Sequence, residues 1–253
     1  MKSFFIALQF LSRIHVVTQT VWTEADFGRS VIFFPLVGTV IGAVLCLAYA
    51  GISLWFPQPY TAVLLVLCWL FVTGGLHADG LMDTADGLFS GRSRERMLEI
   101  LKDSCVGSNG VVAFVSCMAL KVCFLANLPQ QSVCAALLAV PTAARFGVLI
   151  GIFQFPYARQ QGLGQAFVQY APRRALVKAF LCALLPLAVA GWGYFLLLGA
   201  AMLISLGLNT YIARRLGGVT GDTYGAVIEL SEMLLLGLAF LASGAVQTAC
   251  IWI

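Results

Sequence analysis

Three observations predict an all-α fold, a polytopic membrane helix bundle. The chain is 60% hydrophobic and only 10% charged over its 253 residues, where a soluble domain carries about 25% charged residues. Its apolar residues gather into runs close to the ~20 residues that a helix needs to cross a bilayer. The connections between those runs alternate between uncharged and charged. About seven transmembrane helices are expected, preceded by an N-terminal amphipathic helix, in a single integral membrane domain over residues 1–253. The net charge of +4 does not indicate nucleic acid, because Lys and Arg in such a protein report which side of the bilayer a loop occupies.

The N-terminus, MKSFFIALQFLSRIH, has a charged start and a short apolar core but no A-x-A-like cleavage site. It therefore reads as an amphipathic helix lying on the membrane surface rather than as a cleaved signal peptide. The apolar segments follow at about 31–55, 60–76, 110–126, 132–153, 176–190, 194–212 and 226–251. The second and fifth are short for a span. The connections Phe56–Pro59, Asn127–Gln131 and Gly191–Gly193 carry no Lys, Arg, Asp or Glu. All fifteen Lys and Arg except Lys121 and Arg145 lie at the N-terminus, in 77–109, 154–175 and 213–225, or, for Lys178, just inside the fifth segment. That bias predicts that the N-terminus and the working loops face the cytoplasm. Eight cysteines form no CxxC pair, and all but Cys105 fall in apolar runs, so they read as small buried hydrophobes.

The third segment would start after Gly107-Ser108-Asn109-Gly110 and the seventh after Gly217–Asp222. Gly-rich turns opening onto helix N-termini suit phosphate, because bare N–H groups point at the ligand. A plain turn with an Asp222 or Thr220 cap fits the second of them equally well.

Chemistry concentrates in Gly74–Asp103. Asp79, Asp83 and Asp86 stand at i, i+4 and i+7 and share one helix face. Like charges so arranged repel, so the face calls for a divalent cation, visiting phosphate-bound cations or a protonated acid. The alternating i, i+2, i+4 acids of an EF-hand are absent. His77 precedes this face by two residues. A second acidic set, Asp222, Glu229 and Glu232, opens the seventh segment. The last two lie about 5–10 Å below the surface at 1.5 Å per residue. Acids at that depth need partners, and Arg145 and Lys121 are the in-membrane cations available. Arg92, Arg94, Arg96, Lys102, Arg159, Arg173, Arg174, Arg214 and Arg215 supply positive charge on the same side, in part as lipid-headgroup contacts. Carboxylates, cations and helix N-termini on one face suit phosphoryl or nucleotidyl transfer: acids hold Mg²⁺, the metal and Arg neutralise a pyrophosphate, and one carboxylate takes a proton from an attacking hydroxyl.

At these residues the chain resembles the cobalamin synthase family, the adenosylcobinamide-GDP ribazoletransferases or cobalamin-5′-phosphate synthases. The resemblance is carried by TGGLHADGLMDTADGLFSGRSRERMLEILKDS (73–104), with FFPLVGTVIGA (33–43), YARQQGLGQAF (157–167) and GGVTGDTYGAVIELSE (217–232) in the same order. It implies a Mg²⁺-dependent enzyme of the bacterial cytoplasmic (inner) membrane, acting in late coenzyme B12 assembly. Such an enzyme joins adenosylcobinamide-GDP to α-ribazole or its 5′-phosphate, through attack of a ribose hydroxyl on the phosphorus attached to cobinamide, and releases GMP. It also implies membrane lipid as a partner, and a homo-oligomer or a complex with other cobalamin-assembly enzymes is compatible with it. Asp79, Asp83 and Asp86 fall on the family's HxDGLxDxxDG acids, Asp103 on the acid of its KDS or RDS tripeptide, and Asp222 and Glu229 on GDTxGAxIE. Where the family often has Arg after Asp-Ser, this chain has Cys105, and Ser108-Asn109 also differ from the commoner residues. Lys102 or a loop Arg is then expected to take that Arg's place.

The expected site is therefore Asp79 and Asp83 on Mg²⁺, Asp86 completing the metal shell or acting as base, and Asp222 and Glu229 closing the site. His77, Arg92, Lys102, Asp103, Arg145 and Gly221 are expected to bind substrate. Spacing does not order the roles of the acids. A CDP-alcohol phosphotransferase would show D-G-x-x-A-R-x₈-G-x₃-D-x₃-D, and Leu-Met-Asp follows Asp79-Gly80 instead. A cation or corrinoid transporter would place its acids near the midplane, among broken helices.

Overall fold

A computed structural model of the chain describes residues 2–17, 22–159 and 163–250, with the backbone alone at 163 and 245–250. Residues 160–162 of the 157–167 motif and the last residue of the seventh expected segment lie outside the described residues.

The described residues form helices and no strands, as predicted. They are α1 (Lys2–Leu11), α2 (Glu24–Ser30), α3 (Phe34–Ile52), α4 (Gln58–Thr73), α5 (Leu76–Leu88), α6 (Arg94–Ile100), α7 (Ser108–Asn127), α8 (Gln130–Gln154), α9 (Leu163–Gln169), α10 (Ala175–Ala183), α11 (Leu187–Ala190), α12 (Tyr194–Leu216) and α13 (Gly221–Cys250). Five stretches are long and apolar enough to cross a membrane: Glu24–Ile52, which joins α2 to α3, then α7, α8, α12, and α13 as far as Gly244. The chain is a multi-pass membrane protein.

Seven spans were expected, and among the described residues five are found, or six if the bent pair α4 and α5 is counted as one. Both shortfalls have a local cause. Helix α4 runs for 16 residues and stops where Gly74 and Gly75 both take left-handed backbone, φ +68° and +73°, which glycine adopts without steric cost. Their amides close the helix end on Phe71 and Leu70 carbonyls at 3.1 and 3.0 Å, and the chain turns through 91° into α5. The fifth expected span breaks into α10 and the four-residue α11 at a turn holding Pro186, which has no N–H to continue the ladder.

Helix α1 departs from expectation in another way. Its apolar face, with Ile6, Leu8 and Leu11, is buried against α2 and α3 rather than left for lipid. Thr23 and Asp26 form the capping box that starts α2.

Helix α8 lies at the centre, packed by α3, α12 and α13. Helix α3 meets it through Gly38 and Gly42, where an added Cβ would run into the Pro141 and Leu137 carbonyls. Small residues four apart let two membrane helices approach backbone to backbone. At one end of the bundle a short parallel bridge joins Tyr157 to Val219, with Ala158 N–H on the Val219 carbonyl at 2.8 Å and Val219 N–H on the Pro156 carbonyl at 2.9 Å. It fixes the loop after α8 against the start of α13.

Candidate active site

Helix α5 carries Asp79, Asp83 and Asp86 and packs along the first turns of α13. Gly80 makes that approach possible: a Cβ there would sit 2.5 Å from the Asp222 carbonyl oxygen. Gly225 faces His77 and Gly80 across the same seam, where an added Cβ would be only slightly tight, at 3.3 Å from the His77 backbone. The seam brings Asp222 beside the α5 acids. Asp222 is held in turn by Arg159 of the bridged loop, Nη2 to Oδ2 at 2.7 Å. The first turn of α13 is fixed by a reciprocal cap: Thr223 N–H donates to Thr220 Oγ1 at 3.3 Å and Thr220 N–H to Thr223 Oγ1 at 2.8 Å.

Asp79, Asp83, Lys102, Asp103, Arg159 and Asp222 line one polar cavity of about 380 Å³. Three of these, Asp79, Arg159 and Asp222, also line a second cavity of about 280 Å³. That one runs between aromatic and aliphatic side chains. A wider hollow at the α4–α5 bend, reached by Arg13 and Phe114, also touches Asp79. Asp79 thus stands where all three meet.

Crowding of negative charge acts on Asp83. Partial burial, then the carboxylates of Asp79, Asp222 and Asp86, push its carboxyl up to about 7, against a small opposing pull from Arg159. A carboxyl so placed takes up a cation or a proton readily near neutral pH.

Asp86 has a different setting. Its carboxylate accepts the Gly107 and Gly110 amides at 2.7 and 2.9 Å, at the N-terminus of α7. The glycine turn read as a phosphate seat already holds an anion, the side chain of Asp86. The turn before α13 is likewise capped within the chain, by the Thr220–Thr223 pair.

Glu229 and Arg145 lie deeper, in a buried ion network. Lys121 Nζ donates to Glu229 Oε1 at 2.5 Å and to Glu232 Oε2 at 2.8 Å, and Arg145 Nη1 to Glu232 Oε1 at 2.7 Å. Arg145 also reaches the Pro141 carbonyl at 3.0 Å and His77 Nδ1 at 3.4 Å. Lys121 sits over the Trp69 ring, 4.8 Å from its centroid. Two cations balance two carboxylates across α7, α8 and α13, and all four side chains are at most 5% exposed. Removing one member of such a set costs about 3–5 kcal/mol, because the opposite charge is left stranded.

Of the other expected residues, Lys102 and Asp103 line the polar cavity, and Asp103 also accepts the Cys105 amide at 3.0 Å. Gly221 and His77 line the second cavity. Arg92 is exposed on the α5–α6 loop, away from these cavities. Arg159 was visible in sequence only as one loop Arg among several; the bridge to Val219 is what selects it. Together with Lys102 it supplies positive charge where Cys105 cannot. Among the described residues, no three His, Cys, Asp or Glu side chains converge closely enough to hold a metal alone.

The model of the cobalamin-5-phosphate synthase family matches residues 3–240. Relatives named adenosylcobinamide-GDP ribazoletransferase align over nearly their full length. That of Acetivibrio thermocellus is 38% identical over 246 residues, 95% of this chain and 98% of the relative. That of Desulfitobacterium hafniense is 41% identical over 250 residues, 95% and 97%. That of Pseudomonas putida strain GB-1 is 42% identical over 242 residues, 94% and 99%. No solved structure matches the chain.

Proposed function

Since the chain belongs to the cobalamin-5-phosphate synthase family, we propose that it is an adenosylcobinamide-GDP ribazoletransferase. It transfers the cobinamide phosphate of adenosylcobinamide-GDP to a ribose hydroxyl of α-ribazole or its 5′-phosphate and releases GMP. One observation carries the reading: carboxylates from α5 and α13 face Lys102 and Arg159 across a single polar cavity. The cytoplasmic membrane is its place, with the charged loops inside, from the one-sided distribution of Lys and Arg.

The donor set fits Mg²⁺. Mg²⁺ keeps several waters and takes only one or two carboxylates plus substrate phosphates, so three tightly convergent protein ligands are not required. Asp79 and Asp222 would hold it, and it would neutralise charge on the diphosphate and the leaving GMP. The chain's own groups do the rest. Lys102 and Arg159 bind and orient the diphosphate. Asp83, its carboxyl poised near 7, accepts the proton of the attacking hydroxyl as the new P–O bond forms and the bond to GMP breaks. Asp86 keeps the α7 N-terminus seated against α5, and Glu229 and Arg145 hold the helices under the site.

The test is Asp79→Asn in purified protein given both substrates and Mg²⁺. GMP release is expected to fall by about 100-fold or more, the scale of losing a positioned charge. Undiminished release would refute the assignment.

A further inference from the structure

The second cavity has a chemistry of its own. Phe10, Phe34 and Phe167 form one wall, with Phe34 and Phe167 edge to face at 5.3 Å and Phe10 and Phe167 5.8 Å apart. Val148 also lines it. Two residues of this lining, His77 and Tyr224, only 2% and 6% exposed, carry buried polar atoms with no hydrogen-bond partner among the described residues, Nε2 of His77 and the hydroxyl of Tyr224. Buried polar groups are almost always paired, so each such atom calls for an explanation.

The His77 ring is also defined. Its Nδ1 faces an Arg145 Nη2 at 3.4 Å, and a guanidinium only donates. Nδ1 must accept, which leaves the proton on Nε2 as a free donor. An occupant should therefore be flat, mostly apolar and equipped with one bare acceptor. It should also be small: a 280 Å³ cavity lies just under the ~300–1,000 Å³ range of drug-sized sites, and a corrin ring cannot enter. A benzimidazole, the base of α-ribazole, meets all four requirements through its fused rings and its one unsubstituted ring nitrogen.

Resting on the function proposed above, we infer that this cavity is the subsite for the benzimidazole base of the acceptor, with the His77 Nε2–H donating to its free ring nitrogen. The ribose then emerges at the shared rim of Asp79, Arg159 and Asp222, where its hydroxyl meets the acids. The corrinoid stays outside, on the polar cavity.

Equilibrium dialysis of detergent-purified protein with α-ribazole alone, no corrinoid added, tests this apart from turnover. On wild type, free 5,6-dimethylbenzimidazole is expected to displace α-ribazole, and α-ribazole binding indifferent to it overturns the inference. His77→Phe is expected to weaken α-ribazole binding about three- to tenfold, the scale of one lost hydrogen bond, and Val148→Phe, which fills the slot, by more. In turnover the same variants should raise KM for α-ribazole and leave KM for adenosylcobinamide-GDP unchanged. Equal rises in both constants, or unaltered dialysis with either variant, overturn it. If wild type releases no GMP, the transferase reading falls while the dialysis still decides the cavity's ligand.

Discussion

Gly80 sets the distance between the two acidic elements, so Gly80→Ala tests whether that distance matters. The new Cβ would lie 2.5 Å from the Asp222 carbonyl oxygen. Ordinary contact begins at 3.4 Å, so α5 and α13 must separate by about 0.9 Å there. The obstacle is backbone, not a side chain that can swing away. A misplacement near 1 Å costs about 100-fold in rate when reacting groups must be aligned. Gly225→Ala is the internal control: its Cβ meets nothing nearer than 3.3 Å, a correction of only about 0.1 Å. Both are helical positions where Ala gains up to about 1 kcal/mol in propensity over Gly, which partly offsets the overpacking cost of about 1–3 kcal/mol at Gly80. Initial rates of GMP release, on protein that elutes as wild type from gel filtration, are expected to fall about 100-fold for Gly80→Ala. Gly225 also lines the second cavity, so rates are compared at saturating acceptor, where Gly225→Ala should stay within about twofold. Equal activity in the two variants would refute the view that the α5–α13 seam positions the chemistry.

Three further outcomes follow from the same geometry. Asp86→Ala strips the α7 N-terminus of both its amide acceptors and should cost about 1–3 kcal/mol in denaturant unfolding; an unchanged midpoint would show the cap to be idle. Lys121→Met leaves two buried glutamates facing one cation and should cost about 3–5 kcal/mol, and a loss below about 1 kcal/mol would mean that the network is not paired as described. The third concerns pH. The Asp83 carboxyl is raised in the folded state to about 7 from an ordinary 3.8, so its contribution to stability is full below the ordinary value and is lost as pH rises through 7. The unfolding temperature of metal-free protein should therefore fall across that window, less so in Asp83→Asn, and Mg²⁺ should restore it above pH 7; the same decline in both proteins would remove Asp83 as the cause.

Much of this was legible in residue order. Spacing alone placed Asp79, Asp83 and Asp86 on one helix face, and α5 puts them there. Acids and cations within apolar runs had to find each other, and Lys121, Arg145, Glu229 and Glu232 do. What spacing could not supply is what stands opposite each face. Asp86 belongs to the same helix stripe as Asp79, yet it faces the α7 amides while Asp79 faces cavities. The adjacent pair Gly74-Gly75 was the signal for the bend that ends the second expected span, and Pro186 the signal for the broken fifth span. The selection of Arg159 from among many loop arginines depends on a bridge between Tyr157 and Val219, 62 residues apart, and no local pattern announces it. The orphaned Tyr224 hydroxyl had no sequence signal.

Asp79 and Asp222, from two helices, are proposed to grip one divalent ion together with the substrate's diphosphate. Electron paramagnetic resonance of Mn²⁺ in place of Mg²⁺, titrated into purified protein with GDP-linked cobinamide, tests it most directly. One tightly bound Mn²⁺ per chain is expected in wild type, with Asp79→Asn and Asp222→Asn each losing it. Full binding retained in both variants would overturn that assignment.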